Sequence, residues 1–173
     1  YIDIPNGVPI LHRSLLASCS NLRSVTIPDS VVTIDDYAFA GCSALESISI
    51  PNSVVTIGSD AFANSGLKEI EIPDSVINIG YGAFFRCKNL ASVRLSDQLS
   101  EMTGHNYSTE GMFADCDSLK SIVIPDSVKK IGRNTFSGCD KLETVTIGSG
   151  VSTIESDTSG DYYGSPFGGC PKL

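Results

Sequence analysis

The chain has no tryptophan, only two histidines and two methionines, and only 12 lysine or arginine residues against 20 aspartate or glutamate residues. Proteins that bind nucleic acid or anionic membranes use clusters of basic residues, but here these are scattered and the formal net charge is −8. We therefore expect no nucleic-acid partner. No apolar run approaches the ~18 residues that span a bilayer, so we expect no membrane insertion by this segment.

The sequence does contain an internal repeat of 22, 23 or 29 residues. The aliphatic residue at the end of each predicted strand recurs as Ile4, Ile27, Ile50, Ile72, Leu95, Ile124 and Ile147. The aromatic anchor recurs as Phe39, Phe62, Phe84, Phe113, Phe136 and Phe167, with Leu16 in the first position. A unit this short cannot bury its own apolar face, so stacked copies are needed to form a core.

Each unit predicts the same local structure. Val25 and Ile27 alternate with polar residues, as in a strand with one buried face, and Pro28 ends the ladder because it has no N–H to donate. Apolar residues then recur at three-residue spacing through Phe39 and Cys42, which predicts a helical or 3₁₀ turn. We expect a right-handed solenoid with one parallel sheet along one face, and short return strands and helical or 3₁₀ turns on the other.

The repeat also resembles a known family. The unit L-x-x-I-x-I-P-x-S-V-x-x-I-x-x-x-A-F-x-x-C-x-x-L is clearest in LRSVTIPDSVVTIDDYAFAGCSAL and LKSIVIPDSVKKIGRNTFSGCDKL. It is similar to the BspA-like, or treponemal-type, leucine-rich repeat over essentially the whole chain. The resemblance implies a leucine-rich-repeat solenoid with an adhesion role, located outside the cell or on its surface. The partner it implies is a host extracellular-matrix or cell-surface protein.

The chain begins within one copy of the repeat, at Tyr1, and ends within another, at Leu173. We expect residues 1–173 to form a single solenoid domain of about seven units that is incomplete at both ends, as a fragment of a longer chain would be. The first residues show no basic start followed by a long apolar segment, the pattern of a signal peptide.

The cysteines all occupy one repeat position, three residues after the anchor: Cys19, Cys42, Cys87, Cys116, Cys139 and Cys170. This regularity indicates small side chains packed at a turn, which serine can replace, as at Ser65. A disulfide framework would show irregular, paired spacings. No C-x-x-C or paired-histidine spacing predicts a metal site, and no cofactor is expected.

Nucleophilic catalysis would need a base near a cysteine, and only His12 and His105 are available. His12 follows an inward leucine on the return strand and is interpreted as a solvated polar residue. His105 lies in an insertion, so a pair with Cys87 or Cys116 stays open. The sequence contains no other catalytic constellation, and we expect no enzymatic activity.

Two insertions interrupt the regular repeat. From the apolar residue of the return strand to the anchor, the spacing is five residues in five units, eleven from Met102 to Phe113 and thirteen from Ile154 to Phe167. Because both insertions leave the coil at the same point, two units apart, we expect their roots about 10 Å apart on one flank.

The insertions supply tyrosines and polar residues, the mixture that recognition loops favour. The candidate binding residues are His105, Asn106, Tyr107, Glu110, Asp157, Asp161, Tyr162 and Tyr163. The alternative is that the insertions are tolerated drift on an exposed edge. Asp157, Ser159 and Asp161 match the start of a calcium loop, but Tyr162 replaces its glycine and no glutamate closes it, so no metal site is predicted.

The outward face of the predicted sheet is the second candidate surface. It is mostly serine and threonine, interrupted by an acidic rung, Glu69 and Glu71, beside Arg94. The small side chains would leave a shallow groove for an extended partner, although no aromatic anchor follows Tyr1. The alternative is a solvated strand face built from β-favouring residues.

Two functions follow from these observations. The first is a non-catalytic protein-binding or adhesion module of a secreted or surface-anchored microbial protein. The second is a structural spacer that projects another domain and has no ligand of its own.

Overall fold

The computed structural model describes residues 1–104, 110–156 and 164–173, and within these ranges it contains short parallel β-strands and no helix. The strands are β1 Ile2–Asp3, β2 Ile10–Leu11, β3 Val25–Thr26, β4 Thr33–Ile34, β5 Thr56–Ile57, β6 Glu69–Glu71, β7 Asn78–Ile79, β8 Ser92–Arg94, β9 Glu101–Met102, β10 Ser121–Ile124, β11 Lys130–Ile131, β12 Thr144–Ile147 and β13 Thr153–Ile154. Nothing described is a helix that could cross a bilayer.

The strands form a solenoid of about six ~23-residue coils, which confirms the predicted stack. On the first face, β1 pairs with β3, β6 with β8, and β10 with β12. On the second face, the return strands form the ladders β2-β4-β5-β7 and β9-β11-β13. The first face is therefore three short sheets rather than one continuous sheet. The ladder is interrupted where residues 47–50, the equivalent segment of the third coil, form no strand.

The predicted helical or 3₁₀ turns are wrong, and the hydrogen bonds give the reason. The amides of Ala38 and Ala40 donate to carbonyls three residues earlier, at 3.3 and 3.1 Å. The intervening amides of Phe39 and Gly41 donate instead to the next coil, both at 2.7 Å. A helix directs successive amides back along its own segment, so this alternation between local and inter-coil partners excludes one.

Left-handed residues on both sides of the anchor also prevent a helix. Tyr37 (φ 58°) precedes Phe39 by two residues, and Gly41 (φ 74°) follows it by two. The same pair of positions recurs as Ser14 and Ser18, Asp60 and Asn64, Gly82 and Arg86, and Asn134 and Gly138. A right-handed helix cannot continue through a left-handed residue, so each turn ends after a few residues.

The core is a column of aliphatic side chains around a stack of phenylalanines. Phe39, Phe62, Phe84, Phe113 and Phe136 are fully buried. Consecutive rings, continuing to Phe167, lie 5.2 to 5.7 Å apart between centroids and within 6° of parallel. Each internal anchor therefore packs on the equivalent ring of both neighbouring coils.

Candidate functional site

The repeated cysteines tie adjacent coils together through their thiols. All six are free, and Cys42, Cys87, Cys116 and Cys139 are buried. The Cys42 thiol donates to the Leu16 carbonyl at 3.2 Å. The other thiols bond in the same way to the anchor of the preceding coil: Cys87 to Phe62, Cys116 to Phe84, Cys139 to Phe113 and Cys170 to Phe136, at 3.1 to 3.3 Å. The prediction of free thiols in a packing role is confirmed.

Burial also changes the chemistry of these thiols. It raises the pKa of Cys42 and Cys87 to about 11 and that of Cys139 to about 12. The thiolate is the nucleophilic form of cysteine, and these side chains stay protonated at neutral pH. His12 is exposed, as interpreted from the sequence. The other candidate base, His105, lies outside the described residues.

The best-formed concave site lies on the first face, at the interruption of the ladder. This sheet-face cleft has a volume of about 440 Å³. Residues 47–50 of the third coil line one side, Glu69–Glu71 of the fourth coil line the other, and Ser92 and Arg94 of the fifth coil extend it. The structure thus brings together Glu69, Glu71 and Arg94, the three candidate residues on the outward face.

The sequence did not predict the interruption itself, although it carries a signal for it. The step from Ile50 to Ile72 is 22 residues because one residue is missing before Leu67. There Gly66 approaches the preceding coil so closely that a Cβ atom would lie 2.2 Å from the Ser43 carbonyl oxygen. The Lys68 amide then donates to the Glu46 carbonyl at 2.9 Å, and beyond this bond residues 47–50 do not join the ladder.

The charges in the cleft are arranged differently from their order along the sheet. Glu71 lies opposite Arg94 in the β6–β8 register. However, the Arg94 guanidinium donates from Nη2 to both carboxylate oxygens of Asp74, at 3.0 and 3.1 Å, and from Nη1 to the Ile72 carbonyl at 3.0 Å. Hydrogen bonds from the Asp97 amide and from Arg94 hold the pKa of Asp74 below its ordinary value.

The other nearby cation is occupied as well. Lys68 forms an ion pair with Glu46, with 2.7 Å between Nζ and Oε2. Glu69 and Glu71 are exposed and form no ion pair with the described residues. The cleft therefore presents two uncompensated carboxylates beside an arginine that is already paired.

The candidate residues of the insertions fall mostly outside the described structure. These are His105, Asn106, Tyr107, Asp157, Asp161, Tyr162 and Tyr163. Glu110 is described and half-buried. The strands that lead into the insertions, β9 and β13, pair on the two sides of β11 on the second face. The insertion roots and the sheet-face cleft therefore lie on different faces. Among the described residues, no group of three histidine, cysteine or acidic side chains has a metal-binding arrangement.

Comparisons with known proteins agree on the repeat. The family model of the BspA type leucine rich repeat region matches residues 10–111 and 106–158, with six copies. A leucine-rich repeat protein from Bacteroides ovatus is similar at 36% identity and a TM-score of 0.80, over 86% of this chain and 37% of its own. The leucine rich repeat protein TpLRR of T. pallidum is similar at 31% identity and a TM-score of 0.72, over 81% of this chain and 63% of its own.

A leucine rich cell surface protein from Faecalibacterium prausnitzii is similar at 28% identity and a TM-score of 0.58, over 88% of this chain and 55% of its own. The chain thus spans between 37% and 63% of the length of these solved relatives. No curated protein matches it.

Proposed function

The chain belongs to the BspA-type leucine-rich repeat family, and we propose that it is a non-catalytic protein-binding module of a secreted or surface-anchored microbial protein. The observation that carries the proposal is the first face. Its outward side chains are exposed and lie in register from coil to coil, as in the pairs Asp3–Thr26, Glu71–Arg94 and Val123–Thr146. Such a face offers a long contact surface to a partner protein.

An adhesion role is the finer form of this proposal, with a host extracellular-matrix or cell-surface protein as the partner. The surface location is supported by the Faecalibacterium relative, which is a cell surface protein. A non-catalytic role is supported by the raised pKa of the buried thiols, because protonated thiols are poor nucleophiles.

We assign part of the binding to the insertions as well. Since β9 and β13 are separated only by β11, both insertions start from one sheet, which favours engagement of a single partner. Tyrosine supplies large, rigid contact area at a low entropic cost, and the insertions contain Tyr107, Tyr162 and Tyr163.

Binding by an intact and a shortened protein tests the proposal. Deleting residues 105–110 and 157–164 restores the five-residue spacing to the anchor in both coils. We expect the intact chain to bind at least one protein of a panel of matrix and cell-surface proteins in interferometry. The shortened chain should bind it more weakly while keeping the same circular dichroism spectrum. Equal binding would remove the insertions from the proposal and leave the first face.

A structural spacer is the second candidate function. It is favoured by the unbroken stack of anchors from Phe39 to Phe167, which makes the solenoid a continuous rod. If neither protein binds any member of the panel, the spacer function replaces the binding function.

A further inference from the structure

We propose that the sheet-face cleft binds an extended segment of a partner protein by accepting a lysine or arginine side chain between the third and fourth coils. The inference rests on the proposed protein-binding function and specifies the chemistry of the partner at one site. It is carried by the lining of the cleft, by its charges and by the interrupted ladder.

The lining changes from apolar to acidic towards the solvent. Ile48 and Ile70 occupy core-facing positions and form the inner wall of the cleft, with Ile70 only 4% exposed. Glu69 and Glu71 occupy the alternate, outward positions at the rim. Lysine and arginine have an aliphatic stem and a charged end, so they match this order of surfaces. The volume of about 440 Å³ lies within the ~300 to 1,000 Å³ that is usual for ligand sites.

The charges favour a cation from outside the chain. Arg94 is bound to Asp74 and Lys68 to Glu46, so neither neutralises Glu69 or Glu71. An incoming lysine or arginine therefore has no intramolecular cation to displace. The formal net charge of −8 also favours a basic segment over an acidic one, through attraction at longer range.

The interrupted ladder favours an extended peptide as the occupant. Residues 47–50 pair with neither neighbouring coil, and Ser47 and Ser49 point outward beside the cleft. The hydroxyls and backbone of this segment are placed to exchange hydrogen bonds with the backbone of a peptide that lies across the coils. Peptides that bind along sheets combine backbone contacts of this kind with side-chain pockets.

A matched pair of peptides tests the charge requirement. The probe is the acetylated, amidated peptide Ser-Arg-Ser-Arg-Ser, and its control carries citrulline, a neutral isostere, at both arginine positions. In NMR titrations at low ionic strength, we expect the arginine peptide to shift the amide signals of residues 47–50 and 69–71. The citrulline peptide should bind roughly fivefold more weakly or worse. Equal affinities, shifts confined to other coils, or no binding of the arginine peptide would overturn the proposal.

Variants then test the site. Glu69→Gln with Glu71→Gln should weaken the arginine peptide roughly fivefold or more, whereas Arg94→Gln should strengthen binding because it removes the only cation in the cleft lining. The control is Glu101→Gln with Glu143→Gln, which changes the net charge equally at exposed positions outside the cleft. If the control pair weakens binding as much as the cleft pair, a diffuse field replaces the site. If spermine binds at residues 69–71 as tightly as the peptide, a small-cation site replaces it.

The same variants separate this inference from the broader function. If a panel protein binds the cleft pair and the intact chain equally, and the arginine peptide does not bind, the cleft inference fails while protein binding stands. If the arginine peptide binds as described but no panel protein does, the cleft chemistry stands and the proposed adhesion function fails.

Discussion

At the scale of single residues, the recurring cysteine is best understood through the carbonyl that it bonds. The Phe62 carbonyl accepts the Ser65 amide of its own turn and the Cys87 thiol of the next coil, both at 3.1 Å. Where serine replaces cysteine, the Ser65 hydroxyl lies 3.2 Å from the Cys87 sulfur. The position requires a small side chain that can form a hydrogen bond, and both residues satisfy it.

The buried thiols predict a dependence of stability on alkaline pH. Burial raises the pKa of Cys87 to about 11 and of Cys139 to about 12 from an ordinary value of 9.0. The unfolded thiols therefore lose protons first, so their stabilising contribution is complete below pH 9 and is lost as pH rises towards 12. We expect the urea midpoint to fall progressively above pH 9.

A serine variant separates this effect from the ionisation of lysine and tyrosine. Cys87→Ser with Cys139→Ser has no ionisable group at the two buried positions, so its midpoint should fall less steeply over the same pH range. Parallel slopes in the two proteins would contradict the assignment, whatever their difference in absolute stability.

The sequence predicts the position of these cysteines and not their bonding. Regular spacing at Cys42 and its equivalents identifies a packing position. The acceptor of the Cys42 thiol is the Leu16 carbonyl, 26 residues earlier. That partner is fixed only when two coils are stacked, which a local pattern does not specify.

At the scale of elements, the turn around the anchor depends on left-handed residues. Gly41 has φ 74°, and a Cβ atom there would come no closer than 3.4 Å to the neighbouring coil. Ser18, with φ 62°, occupies the equivalent position one coil earlier. The two residues therefore provide a reciprocal test of the backbone constraint.

We expect Gly41→Ala to lower the free energy of unfolding by about 1–2 kcal/mol, because alanine is strained in the left-handed region. Ser18→Gly should raise it by less than about 1 kcal/mol, because glycine relieves strain and also gains entropy in the unfolded chain. Chemical denaturation measures both. A neutral Gly41→Ala would show that backbone strain does not limit this turn.

The elements also show where sequence patterns fail. Ser47-Ile48-Ser49-Ile50 alternates as regularly as Ser121–Ile124, yet only the second segment forms a strand. The difference comes from the shortened turn at Gly66 in the following coil, which shifts how the coils meet. Alternation therefore predicts which side chains face outward, as at Glu69 and Glu71, but not whether neighbouring strands pair. The three-residue spacing that predicted helical turns misled because inter-coil bonds use alternate amides.

At the scale of the whole molecule, stability is passed between neighbouring coils through the stack of anchors. Phe84 lies between Phe62 and Phe113, at 5.5 and 5.2 Å between centroids. Phe167 is half-buried and stacks at 5.7 Å on Phe136, its one ring partner among the described residues. The same substitution should therefore have different costs at the two sites.

We expect Phe84→Ala to lower the free energy of unfolding by about 3–5 kcal/mol, the usual cost of removing a buried phenylalanine. Phe167→Ala should cost clearly less, because its ring is half-buried and has one stacking neighbour. Denaturation followed by circular dichroism compares the two. Equal losses would mean that the coils unfold without regard to their number of neighbours, contrary to a nearest-neighbour solenoid.

The inter-coil hydrogen bonds also determine how the molecule responds to force. They run along the stacking axis, from Phe39 to Ala61 and from Phe62 to Ala83. Tension between the two ends therefore loads the bonds of one junction at a time and peels the coils apart in sequence, without shearing all the strands together. Each detached coil of ~23 residues releases about 75 Å of chain at ~3.3 Å per residue. Under load the solenoid is a tether that lengthens in equal steps.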